Sequence, residues 1–172
     1  MNFLFYIAAA VAVIATLRVV THDNAVHALL YLVVSLLAVA LIFFLLGAPF
    51  AAALEIIIYA GAIMVLFVFV IMMLNPGGQT GQDHRPWRFP TLWRGPSVLA
   101  AVLLAELVYV LAGGDPSAPV HAEVGAHALG PALFGPYVLG VELASILLTA
   151  GLVGAYHLAR PEPSHPIEGE RP

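Results

Sequence analysis

Apolar residues in this chain run in long, nearly unbroken blocks parted by short polar breaks. A membrane-crossing helix needs about 20 mostly apolar residues. Blocks from Asn2 to Val20, Val26 to Leu46, Phe50 to Leu74, Pro96 to Ala112 and Pro136 to His157 meet that length. The breaks fit helix ends. Thr21-His22-Asp23-Asn24 is a polar turn whose Asp or Asn can cap the second helix. Gly47-Ala48-Pro49 stops that helix and leaves a tight connection. Asn75-Pro76-Gly77-Gly78 opens a polar loop ending near Arg94, and Gly113-Gly114-Asp115-Pro116 opens another that lasts to Gly135. Open sheet edges cannot face lipid, and these blocks are too long and uniform for barrel strands. The pattern therefore predicts an all-α integral membrane protein of five transmembrane helices. They form one domain over residues 1–160, followed by a mobile Pro- and Glu-rich tail over residues 161–172.

Composition strengthens this reading. Of 172 residues, 62% are hydrophobic and 9% charged, against about 45–50% and about 25% in soluble domains. Too few charges remain to cover a water-facing surface, which excludes an ordinary cytosolic enzyme. The same numbers exclude a disordered chain. Cysteine is absent, so disulfides, thiolate metal sites and iron–sulfur ligation are excluded.

All six basic residues are arginine. With five crossings, Arg18, Arg85, Arg88, Arg94, Arg160 and Arg171 fall on or beside one side, and the other side carries no Lys or Arg. The positive-inside rule then predicts a cytoplasmic C-terminus and a periplasmic N-terminus. The first block carries its basic residue behind the apolar stretch rather than in front, so it is expected to stay in the mature protein as a span.

Motifs for nucleotide chemistry fail. There is no GxxxxGK[ST] and no GxGxxG after a strand. Gly77-Gly78-Gln79-Thr80-Gly81 reads as a flexible loop. The histidines lie near span ends (His22, His27, His157) or in loops and tail (His84, His121, His127, His165), which argues against a membrane haem. No cofactor is expected in this chain, and no nucleic-acid partner.

Three carboxylates lie inside spans: Glu55, Glu106 and Glu142. Ionisable groups at mid-membrane cost about 2.5–3.5 kcal/mol on the translocon scale, so they invite a functional reading. At about 1.5 Å per residue, each lies roughly 8–9 Å from the outer end of its span. They thus share a stratum in the outer half. Each either snorkels to the headgroups or faces protein and exchanges protons. For Glu55 the second reading is favoured, because Tyr59 stands one turn on along the same face. Glu142 has Ser145 and Thr149 on its side of the helix, a stripe that serves either protons or plain helix packing. Glu106 has only Tyr109 as a polar neighbour and is a possible additional carboxylate. Gly61, within Ala60-Gly61-Ala62, either lets helices approach or marks a soft place where a π-bulge can form.

The third block, Ala53-Leu54-Glu55-Ile56-Ile57-Ile58-Tyr59-Ala60-Gly61-Ala62-Ile63-Met64-Val65-Leu66-Phe67-Val68-Phe69-Val70-Ile71-Met72-Met73-Leu74-Asn75, resembles the signature helix of subunit J of bacterial NADH:quinone oxidoreductase, respiratory complex I. Asn24-Ala25-Val26-His27-Ala28-Leu29-Leu30 resembles the same family. So do Leu133-Phe134-Gly135-Pro136-Tyr137-Val138-Leu139 and Val141-Glu142-Leu143-Ala144-Ser145. The resemblance covers residues 1–160; Glu106 is not carried over from it.

This resemblance implies a non-redox subunit of the proton-translocating enzyme, in the bacterial inner membrane. FMN, iron–sulfur clusters and quinone would sit in partner subunits. The partners implied are the K-, H-, A- and N-type membrane subunits and the lipid bilayer. It further implies that the third helix changes between α and π forms, with Tyr59 as gate, Gly61 permitting the bulge and Glu55 as a polar partner nearby. Met64, Val65 and Phe67 to Phe69 would line the stretch that wets and dries. Two alternatives stay open: a subunit of a multisubunit cation/proton antiporter, and a purely structural membrane subunit.

Overall fold

The structure, a computed structural model, describes residues 3–22, 24–74, 93–113 and 124–160. The polar loop over residues 75–92, the stretch 114–123, and the tail over residues 161–172 lie outside the described residues. With them go Asp23, Arg85, Arg88 and Arg171, and His84, His121 and His165. Every regular element among the described residues is helical. We number them α1 (Phe3–Thr21), α2 (Ala25–Leu45), α3 (Pro49–Leu74), α4 (Arg94–Leu111), α5 (Ala126–Phe134) and α6 (Val138–Ala159). Five of them, all but α5, are long and apolar enough to cross a membrane.

Local chemistry sets the ends. Asn24 caps α2: its side-chain oxygen accepts from the backbone N–H groups of Val26 at 3.0 Å and His27 at 3.3 Å. At the other end Gly47 takes φ 83°, a left-handed conformation. Its N–H donates to the Phe44 carbonyl and that of Ala48 to the Phe43 carbonyl, both at 3.0 Å. That pair is a Schellman closure, which satisfies carbonyls a helix end leaves open. Pro49 does not merely end α2. It opens α3 at the first helical position, where its missing N–H costs nothing and its φ is already suitable.

The first compact unit spans Met1–Gly125 and the second Ala126–Pro172. In the first, α2 is central and packs against α1, α3 and α4. Ala8, Val11 and Ala15 of α1 meet Val34, Ala38 and Leu41 of α2 and Leu103 of α4 in one buried cluster. Small residues dominate the α1 side, so backbones come close, as helix packing in lipid favours. A polar pin crosses that seam. The hydroxyls of Thr16 and Ser35 lie 2.8 Å apart, and Thr16 also donates to the Ala12 carbonyl at 2.8 Å.

In the second unit α5 packs against α6. The sequence reading leaves residues 113–135 as a loop, and α5 corrects it. Gly130-Pro131 masks the helix-forming Ala and Leu residues on either side, Ala128-Leu129 and Ala132-Leu133. Pro131 stands inside α5. Gly135 to Tyr137 then form a turn, so α6 starts at Val138 rather than at Pro136.

Candidate functional site

The candidate site lies on α3, where the backbone leaves the α form. Pro49–Leu54 is α-helical, Glu55–Ile63 is a π-helix of 9 residues, and Met64–Leu74 returns to α. At the entrance the Glu55 N–H is shared between the carbonyls of Ala51 and Ala52. At the exit the Met64 N–H reaches back five residues to the Tyr59 carbonyl, and also to that of Gly61. A wide turn of this kind is rare and is frequently found at functional sites.

Gly61 has a geometric reason to be glycine. A Cβ built there would stand 3.2 Å from the Ile56 carbonyl oxygen, five residues back across the π turn. That spacing is tighter than an ordinary van der Waals contact, so any side chain at 61 pushes on the π segment.

The structure gathers Glu55, Tyr59 and Gly61 into this one segment. Glu55 is half-buried and Tyr59 exposed, and no hydrogen bond joins their side chains among the described residues. Met64, the first residue past the π turn, is 2% exposed, whereas Val65 and Phe67 are exposed. Ala52 and Ile56, on either side of the α-to-π junction, help wall a cavity of about 360 Å³ against Leu41 and Phe44 of α2 and Leu103 and Leu107 of α4. Its walls are apolar throughout, and it is open on one side.

Glu142 lies in the second unit, near the start of α6, and is exposed. The stripe behind it resolves to backbone bonding: the Thr149 hydroxyl donates to the Ser145 carbonyl at 2.9 Å. That is the ordinary role of a Ser or Thr in a membrane helix. Glu106 does not snorkel within this chain. Its side chain is 5% exposed, turned into the unit's interior. The sequence could not show this, because α4 is apolar nearly all round and no stripe announces its inner face.

At the opposite end of α2, His22 and His27 stack with ring centroids 5.2 Å apart. Among the described residues no group of three or more His, Cys, Asp or Glu is placed to hold a metal ion.

The chain matches the family described as NADH-ubiquinone/plastoquinone oxidoreductase chain 6 over residues 15–158. It is 62% identical over 161 residues to NADH-quinone oxidoreductase subunit J of Pseudomonas aeruginosa, covering 93% of this chain and 97% of that one. This chain belongs to the subunit J family. The Escherichia coli K12 subunit J is 57% identical over 162 residues, with 94% of this chain and 88% of that one covered. The subunit J of Buchnera aphidicola subsp. Schizaphis graminum is 45% identical over 160 residues, covering 93% and 98%. Membership of the subunit J family agrees with the multi-pass helical architecture. The π segment lies wholly inside the stretch the family description matches.

Proposed function

We propose that this chain is a membrane-arm subunit of a proton-pumping NADH:quinone oxidoreductase of the bacterial inner membrane. In this reading it relays the free energy of quinone reduction to proton translocation through a change of form in α3. The observation that carries the reading is the π segment, with Gly61 at the one place where a Cβ would press on the Ile56 carbonyl. A π turn stores one residue more than an α turn. Resolving it to α rotates everything on one side of it, so Tyr59, Met64, Val65 and Phe67 would turn relative to Glu55. Such a rotation exchanges which side chains line the passage, and an apolar passage gates by wetting and drying.

Redox chemistry stays in partner subunits, which hold FMN, iron–sulfur clusters and the quinone site. The K-, H-, A- and N-type subunits are the neighbours this role requires. Glu142 and Glu55 would take and give protons at the edges of the gate. For coupling, the quinone reaction must favour one form of α3; an event indifferent to the two forms shifts nothing. The distribution of arginines supports a cytoplasmic C-terminus and a periplasmic N-terminus.

Substitution at Gly61 and Tyr59 in the assembled complex tests this. With Gly61→Leu the complex is expected to assemble, while NADH-driven proton pumping per electron falls severalfold. Tyr59→Phe, which keeps shape and removes the hydroxyl, is expected to lower pumping as well. Loss of assembly with Gly61→Leu and full activity with Tyr59→Phe would instead leave α3 a packing element.

A further inference from the structure

Glu106 is the most deeply buried charged side chain among the described residues, and none of those residues answers its charge. It is 5% exposed, and neither carboxyl oxygen has a hydrogen-bond partner among the described residues. The burial is produced by this chain's own unit, so neither a partner subunit nor a lipid headgroup touches the carboxyl without repacking.

Its level follows from neighbouring contacts. Gly95 at the start of α4 lies against the Tyr31 ring, and Leu107 shares a cavity wall with Phe44. Hence α4 runs parallel to α2, and Glu106 stands level with Ile42 and Phe43. The Thr16–Ser35 bond sets α1 antiparallel to α2 and brings Ala8, which is 0% exposed, to the same level. The cations of these helices, Arg18 and Arg94, are at the other end, roughly 15 Å from Ala8 and roughly 18 Å from Glu106 along their own axes. The other titratable groups on the packed elements are Tyr6 near the level of Ala8, Tyr109 one turn beyond Glu106, His27 and Tyr31 at the far end of α2, and Glu55 and Tyr59 on α3, which packs against α2.

A carboxylate without cation or donor in such a place is costly, whereas a neutral acid is far less so. We propose that Glu106 is a proton-binding site of this subunit, a carboxylic acid that exchanges its proton by way of the apolar cavity between α2, α3 and α4. Glu106 is not itself part of the cavity wall, but Leu103 and Leu107, three residues before it and next to it on α4, both are, which brings the cavity alongside this stretch of α4. The proposal does not depend on α3 changing form.

A neutral acid reached through an apolar space is the substrate of a lipophilic carbodiimide. The acid proton passes to one reagent nitrogen and the carboxyl oxygen bonds the central carbon. The acyl group then shifts from oxygen to nitrogen, breaking the C–O bond and forming a stable N-acylurea. No atom leaves and nothing is oxidised.

The test uses the intact complex, purified in mild detergent and treated with dicyclohexylcarbodiimide at pH 8, with peptides mapped by mass spectrometry. At that pH a solvated glutamate is protonated about once in five thousand molecules. The expected result is the adduct on Glu106, at least tenfold above that on tail Glu162, and its loss in Glu106→Gln. A water-soluble carbodiimide is expected to spare Glu106. The absence of any Glu106 adduct in the wild-type complex, or equal labelling of Glu106 and Glu162, would overturn the proposal. Wild-type labelling decides the matter even if Glu106→Gln fails to assemble.

Discussion

At Gly95 the start of α4 passes so close to α2 that a Cβ would collide with the Tyr31 hydroxyl. Tyr31 is 8% exposed, so its ring has little room to withdraw. Gly95→Ala is therefore expected to destabilise the chain by about 1–3 kcal/mol, the usual range for forcing atoms into a packed site. The collision is mainly with the far end of the Tyr31 ring. Tyr31→Phe removes the atom hit hardest, so the double variant is expected to regain part of the loss. Thermal unfolding of the single and double variants in detergent checks this; equal melting temperatures would show that the ring moves freely. Gly61 differs in kind. Its Cβ would meet backbone, the Ile56 carbonyl, and no second substitution can trim a carbonyl. The same residue type thus does two jobs here: at 95 it admits a neighbour, and at 61 it admits a form of the helix itself.

Among the elements, α1 and α2 are held by more than apolar packing. The Thr16–Ser35 bond joins the two helices across their seam, part-buried, with Ser35 buried and Thr16 at its edge. Interhelical hydrogen bonds in membranes average about 0.6 kcal/mol, with a maximum near 1.7. A double-mutant cycle with Thr16→Val and Ser35→Ala is expected to return a coupling in that range; zero coupling would mean that each hydroxyl is satisfied by its own helix. Thr16 already bonds Ala12, so the lower end is expected. At this scale the sequence was most legible where chemistry is local. The Asn24 cap, the turn at Gly47 and the lengths of α1, α2 and α3 follow from residues within a few positions of each end. Two things were not legible. Gly130-Pro131 hid α5, because a Pro normally argues against a helix interior and here stands inside one. The π segment was legible as a soft place at Ala60-Gly61-Ala62. Its start at Glu55 was not, because no residue type at Leu54-Glu55-Ile56 marks a change from α to π. The inward turn of Glu106 escaped for another reason: which face a uniformly apolar helix buries is decided by its neighbours.

Over the whole molecule, exposure says what the chain lacks when it is alone. In α6 no residue is buried, and past Met64 none is buried in α3. Such apolar faces suit lipid or other membrane subunits, as expected of a piece of a larger assembly. The few charged residues then carry the orientation. In the proposed orientation every arginine falls on or beside one side, and the stretch between α4 and α6, which includes α5, carries none. The bias is counted on short loops near span ends, which is where the positive-inside rule is strongest. Because the sequence has no cysteine, a single replacement puts the one thiol of this chain at a chosen place, read on the isolated subunit band. Ser117→Cys, in the arginine-free loop, is expected to react with a membrane-impermeant maleimide in cells whose outer membrane has been opened. Ser164→Cys, in the tail, is expected to react only after the inner membrane is broken. The reverse pattern would invert the topology and move Glu55 and Glu106 to the cytoplasmic half. Proton uptake and release would then trade sides in the proposed path, while the π segment and its glycine would stand unchanged.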